Sequence, residues 1–466
     1  MPHELPRLLT QLPELPRRLF ARAHQRAVVA RRTGSDKPDT TAPPVAIPIR
    51  AISGETEARR QIFRHGLRLA RQEQWSALVD ALSDADRARA MTPAGTSASR
   101  LLCDGAVQDT LCRASAPVAQ GDAEAARGIA AGFCRALGPT TEAPMRALIA
   151  ASAHLGLARL WRAAPAASLP VPRRRAAVQH HLETAHLLLR PHAPDSLGSA
   201  ALQAAHCAVI EVLPRPEARL ARDYDALIAL EPACPAHLRA YGNELSPHRF
   251  GTWPELERQA RRIAMMTAEV WGGGGYCWLW LDVLAAQPEG LAHLDTELFV
   301  AGLHDLLQIG RGADPGTQAE ASQAHQHRAN LLAAWCSRLR HETAPASALQ
   351  SRARARIAAC LDWIVSDHLR ELHPALWAPG RVPGGALDPR LPASEADALT
   401  AQGTAAAQAA LRDLFAHHVS RGRSVVFTDQ GIALKPGGCT SCTLAPCAAL
   451  AYPRRNLRDE DPPCLT

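Results

Sequence analysis

Lysine is almost missing from this chain: Lys37 and Lys435 are the only two among 466 residues. The formal net charge of +7 is therefore carried by arginine. With the excess of Ala and Pro, that reads as a coding bias towards GC-rich codons. The arginines are interleaved with Asp and Glu through most of the chain, so the charge pattern does not require nucleic acid as a partner. No run of eighteen apolar residues occurs, which excludes a transmembrane helix. The opening MPHELPRLLTQLPELPRRLFARAHQRAVVARR has no continuous apolar core of the secretory kind. Cysteines such as Cys103, Cys134, Cys207 and Cys360 stand singly and far apart, so buried reduced thiols and a cytoplasmic location are expected. Familiar catalytic signatures are missing too. There is no Gly-x-Ser-x-Gly elbow, no His-Glu-x-x-His and no Gly-x-Gly-x-x-Gly after a strand. An enzyme built on those motifs is not expected.

Aromatic residues number only twenty (nine Trp, four Tyr, seven Phe), and eight of them fall between Ala221 and Asp282. A chain poor in large side chains places them where packing or binding matters most. Pro and Gly punctuation divides this stretch into short helices. Glu231-Pro232 ends one, Pro235 opens another in its first turn, Ser246-Pro247 ends that, and Gly272 to Gly275 interrupt a later one. Trp278 and Trp280, two apart on one helix, cannot share a face. A candidate binding surface is the loop His248, Arg249, Phe250 and Gly251 with Tyr241, Trp253 and Trp278.

Around the central stretch, periodic apolar residues predict helices at about 97–114, 118–136, 142–163, 174–190, 197–212 and 216–230. More follow at about 291–309, 317–341, 346–373 and 393–420. Short connections predict antiparallel neighbours. Residues 1–50 read as a basic, Pro-rich, mobile arm, with a docking or membrane-surface segment as the alternative. Residues 51–420 read as a helical domain with a possible division near 215, and 421–466 as a hairpin and Cys-rich tail. The phrase RLARQEQWSALVDAL (68–82) resembles the turn of a tetratricopeptide-type helical hairpin, and Pro247, Arg249-Phe250-Gly251 and Tyr276 resemble a bacterial helical-repeat family with no characterised chemistry. These resemblances imply an all-α fold of antiparallel helix pairs in an α/α solenoid, a tetratricopeptide-like superhelix.

After Gly422 the period changes. Residues 424–428 and 432–435 read as a β-hairpin around a three-residue loop, Asp429-Gln430-Gly431. Beyond it, Cys439-x2-Cys442-x4-Cys447 with Cys464 offers four thiolates to a zinc ion or an iron–sulfur cluster, or a redox pair at Cys439 and Cys442. Glu183-x2-His186 has the spacing of a di-iron helix but no second copy, and His325-x-His327 and His417-His418 belong to no recognisable ligand motif. Gly272 to Gly275 lack the Gly-Lys-Ser/Thr of a phosphate loop. Two readings remain: a non-enzymatic helical scaffold for an unidentified protein or peptide, or a metal-binding or redox protein using the C-terminal cysteines.

Overall fold

Side-chain caps open several of the helices. In the computed structural model, which describes residues 44–164, 170–310, 314, 316–378 and 388–436, the first helix, Gly54–Arg71, opens on Ser53. Its hydroxyl accepts the Thr56 N–H at 3.2 Å, with Glu55 and Glu57 in the first turn and Arg68 and Arg71 in the last, each sign matching the helix dipole. Thr252 and Asp295 cap Trp253–Met266 and Thr296–Gln308 in the same way, and Ser347 with Gln350 forms a capping box on Ala348–Ala358. The 68–82 phrase forms a turn in which Glu73 adopts φ 53°, closed by Gln74 N–H to Leu69 O and Glu73 N–H to Ala70 O, before Trp75 opens the helix Trp75–Arg87.

Several expected boundaries move. The helix expected at 97–114 breaks at Val107, giving Ala98–Ala106 and Gln108–Gln120. Pro117 does not end a helix: it lies inside Gln108–Gln120. The stop comes at Gly121, whose left-handed φ of 76° allows Gly121 N–H to bond Val118 O and Asp122 N–H to bond Pro117 O. The segment expected as one helix over 346–373 is Ala348–Ala358, a short turn Cys360–Trp363 and a π turn ending at His368.

Among the described residues the protein is mostly helical, with one small three-stranded sheet. Strands β2 (Arg423–Thr428) and β3 (Gly431–Pro436) form the expected hairpin, but its loop has two residues, Asp429 and Gln430, because Gly431 already pairs with Thr428. A third strand, β1 (Val45–Ala46), lies parallel to β2 with Val45 opposite Val425. The described chain thus starts inside the stretch read as a mobile arm, and this part of it is paired. Pro48 and Arg50 also exchange backbone hydrogen bonds with Leu372, which ties this segment to the loop after the π turn.

Two main apolar clusters fill the interior. One gathers residues from Leu69 to Val209; the other runs from Cys207 to Phe427 and includes Val45. At the centre of the second is Gly274–Ala286, buried on all sides from Gly274 to Leu281. The glycines before it do separate two helices, Ala268–Trp271 and Gly274–Ala286, with Gly272 at φ 56°. Pro235–Leu245 crosses this buried helix at Gly242, where any Cβ would strike the Leu279 carbonyl oxygen. No helix among the described residues is long and apolar enough to cross a membrane.

Candidate functional site: an arginine-lined groove

The residues expected to form a binding surface divide in two. Tyr241 is fully buried and stacks on Tyr224 at 4.8 Å between centroids, and Trp278 is buried with its ring edge-on to Trp271. Neither offers a surface to a ligand. Both helices that carry them are packed against each other, and large rings fill that contact. Trp253 is half-buried, stacked between Trp280 and His293. His248 is exposed and Phe250 half-buried, with the Arg249 guanidinium 4.8 Å over its ring. Arg249 bridges Glu244 at 2.9 Å and Glu211 at 2.7 Å.

Glu211 leads to an open groove. A groove of about 520 Å³ is lined by Arg162, Arg174, Arg175, Glu211, Val178 and Val212. Three segments build it. Arg162 is in the last turn of Pro144–Ala163, Arg174 and Arg175 are in the first turns of Val171–Leu189, and Glu211 and Val212 lie on the 3-10 turn Ile210–Val212. Burial alone would raise the Glu211 carboxyl. The bond from Arg249 and the charges of Arg162 and Arg249 outweigh that and hold it below its usual range, so it is ionised at neutral pH. One carboxylate therefore serves two arginines. Arg174 donates to the Ala164 carbonyl at 3.1 Å, and neither it nor Arg175 has a carboxylate partner among the described residues.

This charge placement runs against the helix that carries it. The first turn of Val171–Leu189 has no acidic residue, and Arg173, Arg174 and Arg175 follow one another where the helix end is already positive. The groove is a site of uncompensated positive charge beside two valines. Sequence reasoning missed it because residues 162, 174, 175 and 211 converge only through packing; the Arg173-Arg174-Arg175 run was the available signal.

A second missed feature is chemical. Glu231, Cys234 and His237 bring one carboxylate, one thiol and one imidazole within 4.8 Å of one another. Pro232 and Ala233 turn the chain so that the Cys234 N–H bonds Glu231 O at 3.2 Å. Cys234 then caps Pro235–Leu245, and His237 falls one helical turn above it. His237 Nε2 meets Glu231 Oε2 at 2.6 Å. Burial lowers the His237 imidazole, but hydrogen bonds to Cys234 and Glu231 outweigh it and raise it to about 9. The Glu-x2-Cys-x2-His spacing around Pro232 and Pro235 was legible in principle.

Other expected candidates fall as follows. Glu183 is exposed and accepts from Gln179 at 2.8 Å. His181 instead faces His154, Nδ1 to Nδ1 at 3.0 Å, both rings buried. His327 lines a cavity of about 10 Å³ with His373, Ser53 and Thr56, room for about one water. Cys439, Cys442, Cys447 and Cys464 lie outside the described residues. No family model, no curated protein and no solved structure matches this chain.

Proposed function

We propose that this protein is a non-enzymatic helical scaffold that holds an acidic, extended segment of a partner protein in the groove between Arg162, Arg174, Arg175 and Glu211. The observation that carries the reading is the pair Arg174 and Arg175, two guanidinium groups without carboxylate partners lining a groove of about 520 Å³. That volume exceeds what a single inorganic anion fills. The half-buried Val212 gives an apolar edge beside the charges, which suits a peptide alternating carboxylate and aliphatic side chains. Arginine forks bind carboxylates through two parallel hydrogen bonds, so such a segment gains orientation as well as charge. Serial helices packed against one another are consistent with a solenoid-like frame for such a groove.

Fluorescence anisotropy tests the reading with a labelled ten-residue peptide alternating Glu and Leu, its Gln-for-Glu counterpart, and a single-stranded oligonucleotide of equal charge. Binding of the acidic peptide alone, weakened at least about tenfold by raised salt or by Arg174→Ala/Arg175→Ala, is the expected result. Equal binding to wild type and variant, or preference for the oligonucleotide, overturns it.

A further inference from the structure

The turn between Pro216–Leu230 and Pro235–Leu245 places three metal-ligating chemistries on one side of seven residues. We infer that Glu231, Cys234 and His237 bind one zinc ion, which clasps the junction between these two helices.

The donor set selects the metal. Thiolate sulfur and imidazole nitrogen beside a single carboxylate suit zinc, whereas calcium and magnesium take oxygen ligands in larger number. Charge balances as well. A carboxylate and a thiolate cancel a 2+ ion, and a neutral imidazole adds none, so the site buries no net charge. Water takes the remaining tetrahedral position.

The geometry needs little adjustment. Two donors at about 2.1 Å from one tetrahedral ion stand roughly 3.4 Å apart. His237 Nε2 and Glu231 Oε2 are 2.6 Å apart, and the thiol lies within 4.8 Å of both. Side-chain rotations of the order of an ångström bring all three to one centre. The backbone of the turn is already held. Trp271 Nε1–H donates to Pro232 O at 2.8 Å, and Arg89 Nε–H donates to Leu230 O at 3.1 Å. A site fixed in this way loses little chain entropy on binding.

Cys234 occupies a helix N-cap, where Ser, Thr, Asp and Asn are the favoured residues, and its thiol turns toward His237 instead. Its side chain makes no capping hydrogen bond. The sulfur is only 1% exposed as a residue, so it is placed for coordination within the fold rather than for reaction with solutes.

The test separates this site from the C-terminal cysteines. Wild type, Cys234→Ser, His237→Gln and Cys439→Ser/Cys442→Ser are stripped with chelator, checked for helical content by circular dichroism, and titrated with zinc alone against a competing chromophoric chelator. Cobalt is then substituted to read thiolate charge-transfer and tetrahedral d–d bands. About one equivalent of zinc retained by Cys439→Ser/Cys442→Ser, with affinity lowered roughly 100-fold or more in Cys234→Ser and His237→Gln, is the expected outcome. X-ray absorption on the zinc-loaded Cys439→Ser/Cys442→Ser protein should show one sulfur among nitrogen and oxygen neighbours, and this reading holds even if Cys234→Ser fails to fold. No zinc binding, a sulfur-free or multi-sulfur shell, or zinc lost only with Cys439 and Cys442 overturns the inference.

Discussion

Gly242 lies so close to the carbonyl oxygen of Leu279 that a methyl group on its Cα would collide with it. The contact lets Pro235–Leu245 lie directly on the buried helix Gly274–Ala286. Gly242→Ala should therefore destabilise the protein by about 2–3 kcal/mol, since backbone on one side cannot yield as a side chain would. Gly128 offers the contrast. It lies exposed within the helix Ala123–Leu137, and nothing stands within 4 Å of where its Cβ would be. Gly128→Ala should raise stability by about 0.5–1 kcal/mol. Denaturant melts of both variants check the pair; a neutral Gly242→Ala would contradict the close crossing.

Glu55 is a buried carboxylate that accepts from the Thr92 hydroxyl and the Ala94 N–H, both at 2.8 Å, and from the Thr96 hydroxyl at 3.1 Å. It fastens the loop 92–96 to the start of the first helix. Removing it strands three donors, so Glu55→Ala should cost on the order of 3 kcal/mol, and Glu55→Gln, which keeps one acceptor, clearly less. Thermal melts of the two variants side by side give the comparison.

His154 and His181 predict an acid limit. Burial, and then the neighbouring charge of His180, holds His154 down to about 4; burial, then the charges of His154, His180 and Arg127, holds His181 to about 3. In the fold one neutral ring donates to the other. In the unfolded chain both protonate near 6.5. The cost to the fold therefore begins as pH drops below about 6.5, grows with each further unit, and is complete only near 4 for His154 and near 3 for His181. Unfolding free energies measured at pH 7, 5.5 and 4 should fall more steeply in wild type than in His181→Asn.

Arg175 sets function against stability. Exposed in the first turns of Val171–Leu189, it repels the positive helix end. Arg175→Glu should raise stability by about 0.3–1 kcal/mol while weakening the acidic peptide of the groove assay. A variant less stable than wild type would mean that Arg175 is held by interactions other than these.

Much of the local structure was legible in the residues themselves. Pro235 at a helix start and the strand pair after Gly422 follow from backbone rules that act over a few positions; of the interruption expected over Gly272 to Gly275, only Gly272 and Gly273 break the chain, while Gly274 and Gly275 already belong to the next helix. Where local signals compete, sequence rules alone do not place the boundary: Pro117 is tolerated inside its helix, and Gly121 four residues later supplies the left-handed turn that ends it. The candidate surface was legible only in part. Arg249 and His248 are on the outside, but nothing in sequence distinguishes an aromatic that lines a groove from one that fills a core, and Tyr241 and Trp278 fill the core.

The sequence by itself determined the helices, their caps and the turn that carries Glu231, Cys234 and His237, because hydrogen bonds within four residues and the stiffness of proline decide these locally. Tertiary structure alone decided that Val45 pairs with Val425, that one Glu211 is shared by Arg162 and Arg249, and that Arg174 and Arg175 are left facing a groove. Each of those facts joins residues distant in the chain. Distances of that kind are set by how buried faces fit together, and no local pattern encodes them.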